Sequence, residues 1–286
     1  MRTLNKWLFV SILTLFVCLT GYIFLQRMHS VPTIIYFPID QETTFTSAAT
    51  EIEFIQEKNN RQYEISWTSQ SKSSKQVYLR QDASLLYDNG RLRGVISRWG
   101  ENADSISLQK DLTSEDSSYF QAISYHHGEI HYPDDKIKSM QAMSYDELYV
   151  VDSPTTPVQS FQSPKNRFAM EWKELLDVTT KQQLLYHWNK LMRHFQIENE
   201  SYDIIPLTAL HKYNRESLPD LTQEETDRTI GQLWEGLYKN YIIPASSGTN
   251  NLKSSYIPLV LFAKDRTHLM VLYQLDGKME KLIQRF

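Results

Sequence analysis

The sequence is short of cysteine and glycine. Cys18 is the one cysteine among 286 residues, so the chain cannot form an intramolecular disulfide. Glycine occurs only 9 times, well below the usual ~7% of residues. Neither G-x-G-x-x-G nor G-x-x-x-x-G-K-S/T occurs, and both loops need glycine so that the backbone can approach a phosphate group. We therefore exclude Rossmann-type and P-loop nucleotide binding.

Acidic residues are missing from the first 29 positions, which carry only three basic ones. Within this stretch, residues 7–25 (WLFVSILTLFVCLTGYIFL) contain no charge at all. A helix rises about 1.5 Å per residue, so a run of this length crosses a hydrocarbon core of ~30 Å. The run ends in bulky residues rather than in a small-residue cleavage site, which favours an uncleaved signal-anchor over a cleaved signal.

The basic residues around this run predict its orientation. Arg2 and Lys6 precede it, whereas Arg27 alone follows closely. Because positive charge is retained on the cytoplasmic side, we expect a single-pass protein of the cell membrane with its N-terminus inside and the rest extracytoplasmic. The expected segments are a cytoplasmic tail, a transmembrane anchor and a juxtamembrane segment, at residues 1–6, 7–25 and 26–49.

The part of the chain beyond the anchor is acidic and has no thiol. From Ser30 onward, 34 acidic residues outnumber 27 basic ones, which gives a net charge of −7. This balance excludes a generally basic nucleic-acid binder. Exported eukaryotic domains are often rich in disulfides. An outer part without cysteine therefore fits the surface of a Gram-positive bacterium better.

Residues 50–152 have the pattern of β-strands, because apolar and polar residues alternate in several short runs. Asn89-Gly90 lies between two such runs, and Asn-Gly is the strongest short-range signal for a type I′ hairpin turn. A second hairpin is predicted with its turn around residues 126–129. These signals indicate a β-rich extracytoplasmic section.

The remainder is predicted to combine helices and strands. Residues 153–166 are rich in proline, serine and threonine, which is typical of a linker. In residues 167–286, apolar residues at helical spacing predict amphipathic helices, and Thr222 to Glu225 match a capping box. Asp276-Gly277 predicts the turn of a C-terminal hairpin. The expected class is α+β: a transmembrane signal-anchor helix, a β-rich section with hairpins, and amphipathic helices packed on a C-terminal antiparallel sheet.

Histidines supply the densest cluster of potential metal ligands. His127, Glu129 and His131 are spaced two apart, and alternate residues of a strand share a face. Imidazole and carboxylate groups are ligands of zinc, so these three side chains form a candidate metal site. The alternative is a solvated hairpin, because Gly128 is expected in a turn that would break the alternation.

Catalytic patterns are missing or isolated. The sequence has no H-E-x-x-H and no G-x-S-x-G, and its one cysteine lies in the expected span. Ser69 to Lys72 match S-x-x-K, but no K-T-G triplet accompanies them. Acidic pairs such as Asp146-Glu147 occur, as chance alone provides among 34 acidic residues. We assign no catalytic residue and no cofactor from the sequence.

These observations favour a non-enzymatic role at the cell envelope. We expect a membrane-anchored extracytoplasmic protein that binds or regulates an envelope protein or a cell-wall component. The 17 tyrosines and 6 tryptophans fit a binding face as well as a core with polar handles. Two alternatives stay open: a cell-envelope hydrolase with dispersed catalytic residues, and a metal-binding surface module at His127, Glu129 and His131.

Overall fold

A computed structural model describes residues 33–59, 62–153, 156–247 and 254–285 of the chain. This part is mixed α+β and rich in strands, as predicted. No helix within these ranges is long and apolar enough to cross a membrane. The predicted anchor, residues 7–25, lies outside the described residues.

Six strands form the first sheet, and each pairing between them is antiparallel. Their order is β1-β2-β4-β5-β6, and β3 pairs with β2. The bounds of β1 to β6 are Phe45–Asn59, Gln62–Asp88, Arg91–Ser114, Ser118–His131, Ile137–Ser153 and Thr156–Phe161.

Strand β2 folds back on itself and so belongs to two layers. Its first half pairs with β1 and its second half with β4, while β3 pairs with both halves. In a straight strand, residues 17 positions apart would be separated by roughly 55 Å. Trp67 Nε1 nevertheless donates to Ser84 Oγ at 3.1 Å. The bend coincides with a break in the β2–β3 register between Lys72 and Val77.

Side chains of β2, β4 and β5 alternate between two faces, as in any strand. One face is turned towards β1, and its Phe120 and Leu148 pack in an apolar cluster against Trp67 of the first half of β2. The opposite face packs against the helices, where the rings of Tyr125 and Trp234 stack with centroids 4.9 Å apart. The β-rich section and the helical section therefore share one hydrophobic core.

The C-terminal section contains a second sheet, which is antiparallel with the order β10-β9-β8-β7. The bounds of β7 to β10 are Tyr202–Pro206, Leu259–Ala263, His268–Leu275 and Lys278–Arg285. The helices α1, α2 and α3 are Arg167–His194, Gln223–Leu237 and Ile243–Ser247. Two 3₁₀ segments and a π-helical turn complete this section, at Asn199–Ser201, Leu207–Asn214 and Tyr238–Ile242.

Two predicted hairpin turns and one predicted helix cap are confirmed, and each depends on local backbone conformation. Asn89 and Gly90 have positive φ angles of 47° and 78° at the β2–β3 turn, as a type I′ turn requires. Asp276-Gly277 joins β9 to β10 in the same way. At the start of α2, Thr222 Oγ1 accepts from Glu225 N and the Glu225 carboxylate accepts from Thr222 N, which completes the capping box.

The second predicted hairpin has its turn elsewhere, so the placement at residues 126–129 was wrong. Strand β4 is unbroken to His131, and the chain turns at residues 132–136 before β5. Gly128 is needed for packing, because a Cβ there would lie 2.9 Å from Met140 Cγ. A strand glycine of this kind looks the same in a sequence as a turn glycine.

The predicted linker, residues 153–166, contains a strand. Thr156–Phe161 forms β6, with Phe161 opposite Tyr149 of β5. Because β6 lies at the edge of the sheet, Pro157 can be accommodated without its missing N–H. The segment is therefore part of the first sheet as well as a connection to α1.

Gly231 of α2 allows close approach to the first sheet. A Cβ at this position would overlap the ring of Tyr36 and lie 2.6 Å from Gln141 Oε1. At Gly236, the nearest atom would be the flexible side chain of Leu282, at 2.8 Å. An added methyl group would therefore clash with the ring of Tyr36 at Gly231, but only with a flexible side chain at Gly236.

We predict that Gly231→Ala destabilises the fold by roughly 2 kcal/mol, because overpacking outweighs a helix-propensity gain of about 1 kcal/mol. Gly236→Ala is the matched control and should change the free energy of unfolding by less than about 1 kcal/mol. Urea denaturation of both variants measures the difference. Equal stability of the two variants would contradict the proposed packing of α2.

Candidate functional site

A groove of about 460 Å³ lies between the start of β1, the middle of β5 and the helical section. Volumes of 300–1,000 Å³ are usual for ligand sites. Its walls combine hydroxyl, amide and charged side chains with methionine and tyrosine. The groove is lined by residues 39–40, 43–48, 125, 140–143, 213–215, 227 and 230.

Two strand edges face this groove. Among the described residues, β1 pairs with β2 alone, so its other edge has no strand partner. Strand β5 pairs with β4 along its length but with β6 only from Tyr149 onward. An unpaired edge presents a row of backbone N–H and C=O groups that can bind another extended chain.

The edge of β5 is already capped at two points. Asn214 Oδ1 accepts from Met143 N at 2.9 Å, and Asn214 Nδ2 donates to Met143 O at 2.6 Å, as a paired strand would. At Ser139, the backbone bonds to Pro38 O and Asp40 N at 2.9 and 2.7 Å. Residues 38–40 therefore add to this edge.

Charged groups of the groove differ in how well they are paired. Burial opposes ionisation of Asp40, but hydrogen bonds from Thr43, Lys138 and Tyr132 hold the pKa of its carboxyl well below the usual range. Burial raises the pKa of Asp227, against one hydrogen bond from Gln223. Within the described ranges, no ion pair includes the exposed Arg215.

A second feature, called the buried triad here, joins the buried Asp82 and His126 to the half-buried Ser144, on β2, β4 and β5. Nδ1 of His126 lies 2.7 Å from Asp82 Oδ2, and its Nε2 lies 2.7 Å from Ser144 Oγ. Asp82 also accepts from Ser71 Oγ at 2.6 Å and lies 3.6 Å from the guanidinium of Arg80. Serine, imidazole and carboxylate thus follow one another in the order of a nucleophile, its base and the group that orients the base.

The buried triad continues into a chain of hydroxyl groups. Thr50 Oγ1 lies 2.5 Å from Ser144 Oγ and 2.5 Å from Ser124 Oγ. Ser124 in turn bonds to Ser84, which accepts from Trp67. Because buried polar groups need hydrogen-bond partners, this chain holds β1 against β4 and β5.

The buried triad is covered by β1. The side chains of Asp82 and His126 are 0% exposed, and the ring of Phe45 lies edge-on to His126 with centroids 6.1 Å apart. The guanidinium of Arg80 lies 4.6 Å from the same ring. His126 is therefore closed off from solvent, whereas Ser144 is only half-buried.

The predicted metal ligands are not assembled into a site. Nε2 of His127 lies 3.3 Å from Ser139 Oγ, whereas Glu129 and His131 contact each other. His131 stacks on Tyr78, with ring centroids 3.8 Å apart. In the ranges that the structure describes, no group of three His, Cys, Asp or Glu side chains is arranged to hold a metal ion.

The sequence carries no recognisable signal of the buried triad. His126 stands beside His127, yet the alternation of a strand turns it to the opposite face, towards β1. Asp82 and Ser144 come from two other strands, and no spacing connects them with His126. Ser69 to Lys72 lie in β2, so the S-x-x-K match has no helical context. Asp146 accepts from Ile52 N at 2.7 Å, so this carboxylate serves the contact between β1 and β5.

Comparisons with known proteins give no family. No family model and no curated protein matches the chain. A protein of Arabidopsis thaliana solved in solution is 11% identical with a TM-score of 0.25, over 45% of this chain and 92% of that one. The β-glucuronidase 2 of Bacteroides uniformis is 10% identical with a TM-score of 0.26, over 68% of this chain and 26% of that one. Similarity at this level carries no argument about fold or function.

His127 makes the stability of the fold depend on pH. Burial, followed by the positive charge of Arg80, lowers the pKa of His127 from 6.5 to about 4. Above pH 6.5, the ring is neutral in both states. Between pH 6.5 and 4, the unfolded chain binds a proton that the folded chain does not, so stability falls as the pH falls.

Between pH 7 and pH 4, we expect His127 to lower the free energy of unfolding of the wild type by up to roughly 3 kcal/mol. We predict that His127→Gln removes this decrease. Urea denaturation at several pH values measures the slope for both chains. His194→Gln, on the exposed end of α1, is the control and should leave the slope unchanged. Identical slopes for wild type and His127→Gln would contradict a neutral, buried His127.

Proposed function

We propose that this chain is a single-pass membrane protein that binds an envelope protein through its extracytoplasmic domain and does not catalyse a reaction. The charge-free run at residues 7–25 supports the anchor, and the two basic residues before it support a cytoplasmic tail at residues 1–6. The acidic, cysteine-free remainder supports an extracytoplasmic location in a Gram-positive bacterium.

The groove beside β1 is the observation that carries this function. It is large enough for a peptide or a small ligand, and it joins an unpaired strand edge to apolar side chains such as Met140 and Tyr213. Arg215 and Asp227 stand in it without an ion pair between them. Peptide-binding sites combine backbone groups for affinity with side-chain contacts for specificity.

Site-specific photocrosslinking in the producing cells tests this function. A benzophenone amino acid at Ser47, on the groove, should yield a discrete crosslinked protein in the membrane fraction, because the partner passes within reach of that side chain. The matched control is the same amino acid at Ser107, an exposed position of β3. Crosslinking that is equal at both positions, or missing at both, would contradict a partner in the groove.

A hydrolase is the second candidate, and the buried triad is what favours it. In such a reaction, His126 would take the proton of Ser144 while Oγ attacks an acyl or phosphoryl centre. Phe45 and Thr50 pack over His126 and Ser144, so we expect low activity while β1 stays in this position.

A fluorophosphonate probe distinguishes this candidate. If Ser144 is a nucleophile, Oγ bonds to phosphorus, fluoride leaves, and the hydroxyl proton passes to His126. Labelling should then disappear in Ser144→Ala, persist in Ser97→Ala, and increase in Phe45→Ala because the cover is smaller. A chain that is not labelled, even as Phe45→Ala, is not a serine hydrolase of this kind.

A further inference from the structure

We propose that the groove takes an extended segment of the partner protein as an added strand on the free edge of β1, with a carboxylate of that segment on Arg215. This inference rests on the proposed binding function and names its mode and chemistry. It follows from four observations: an unguarded edge, a capped opposite wall, an apolar lining and an unpaired cation.

The edge of β1 along the groove is unguarded. Natural edge strands are protected by charges and prolines that prevent pairing with another chain. Strand β3 follows this rule with Arg93, Arg98, Glu101, Lys110 and Asp111 along its 24 residues. Residues 43–50 of β1 and its approach (TTFTSAAT) contain no charge and no proline.

Two hydrogen bonds of this stretch run towards β2, whereas Thr43 N donates to Asp40 within the groove. Ser74 N donates to Thr44 O at 3.0 Å, and Thr46 Oγ1 donates to Lys72 O at 3.1 Å, both towards β2. The opposite wall is different, because Asn214 already occupies the N–H and C=O of Met143. A strand that enters the groove therefore finds its backbone partners on β1.

The lining suits alternate side chains of such a strand. Ala48, Met140 and Ile230 provide apolar contacts within the groove. Thr43 also lines it, and its side chain is buried. A β-strand turns every second side chain to the same side, so we expect small or β-branched residues at alternate positions of the partner segment.

Arg215 specifies the charge of the segment. It is exposed at the groove and, within the described ranges, belongs to no ion pair. Asp227 is the other unpaired charge, but its carboxylate already accepts from Gln223 and burial raises its pKa. An acidic side chain or a terminal carboxylate on the partner segment complements Arg215.

Selection from a phage-displayed library of random octapeptides tests the proposal, with the full-length chain held in nanodiscs of neutral lipid. The selected peptides should share alternating β-branched residues and one acidic residue. Synthetic copies should protect the backbone amides of residues 44–48 from hydrogen exchange. A library that yields no binder, or binders that protect residues elsewhere, overturns the proposal.

Two variants and one control sharpen the test. Ser47→Lys places a charge on the edge and should weaken binding of the selected peptides about tenfold or more. Arg215→Glu should weaken the binding of acidic peptides about threefold. It should leave unchanged the binding of the same peptides in which the acidic residue is replaced by its amide. Ser107→Lys, on β3, should have no effect. Equal affinity for wild type and Ser47→Lys would refute strand addition.

The outcome separates this proposal from the general binding function. If the peptides fail but the photocrosslinked partner is retained in Ser47→Lys, the partner binds without adding a strand to β1. A concentration-dependent dimer that Ser47→Lys abolishes would show that a second copy occupies the edge, and would also refute the proposal. Analytical ultracentrifugation of the nanodisc-free, detergent-solubilised chain measures that state.

Discussion

The hydrogen bond between Trp67 and Ser84 joins two halves of one strand, and the rest of the structure depends on that fold-back. It brings β1, which pairs with the first half of β2, over the face of β4 and β5. Ser124 and Thr50 extend the same bond into a buried chain. Because such groups are costly to bury unpaired, the chain fixes the position of β1.

The position of β1 has two consequences for the surface of the domain. It covers the buried triad, so that Asp82 and His126 have no contact with solvent. It also leaves the outer edge of β1 along a groove whose opposite wall is capped by Asn214. One constraint thus covers Asp82 and His126 and leaves the groove beside β1 open.

The sequence predicted those features of the fold that depend on local backbone conformation. Asn89-Gly90, Asp276-Gly277 and the capping box at Thr222 are confirmed because each signal acts within four residues. The turn placed at residues 126–129 was wrong because Gly128 serves the packing of Met140, a contact between two strands. Likewise, no local feature of residues 153–166 reveals that part of them pairs with β5.

The sequence by itself determined the charge-free run at residues 7–25, the acidity and lack of thiols beyond it, and the α+β class. These follow from composition and from periods of two and 3.6 residues, which are local properties of any chain. Only the tertiary structure decided that Asp82, His126 and Ser144 meet and that β1 leaves an edge along a groove. Both arrangements join residues of separate strands, whose contacts depend on register and on the bend of β2 rather than on spacing along the chain.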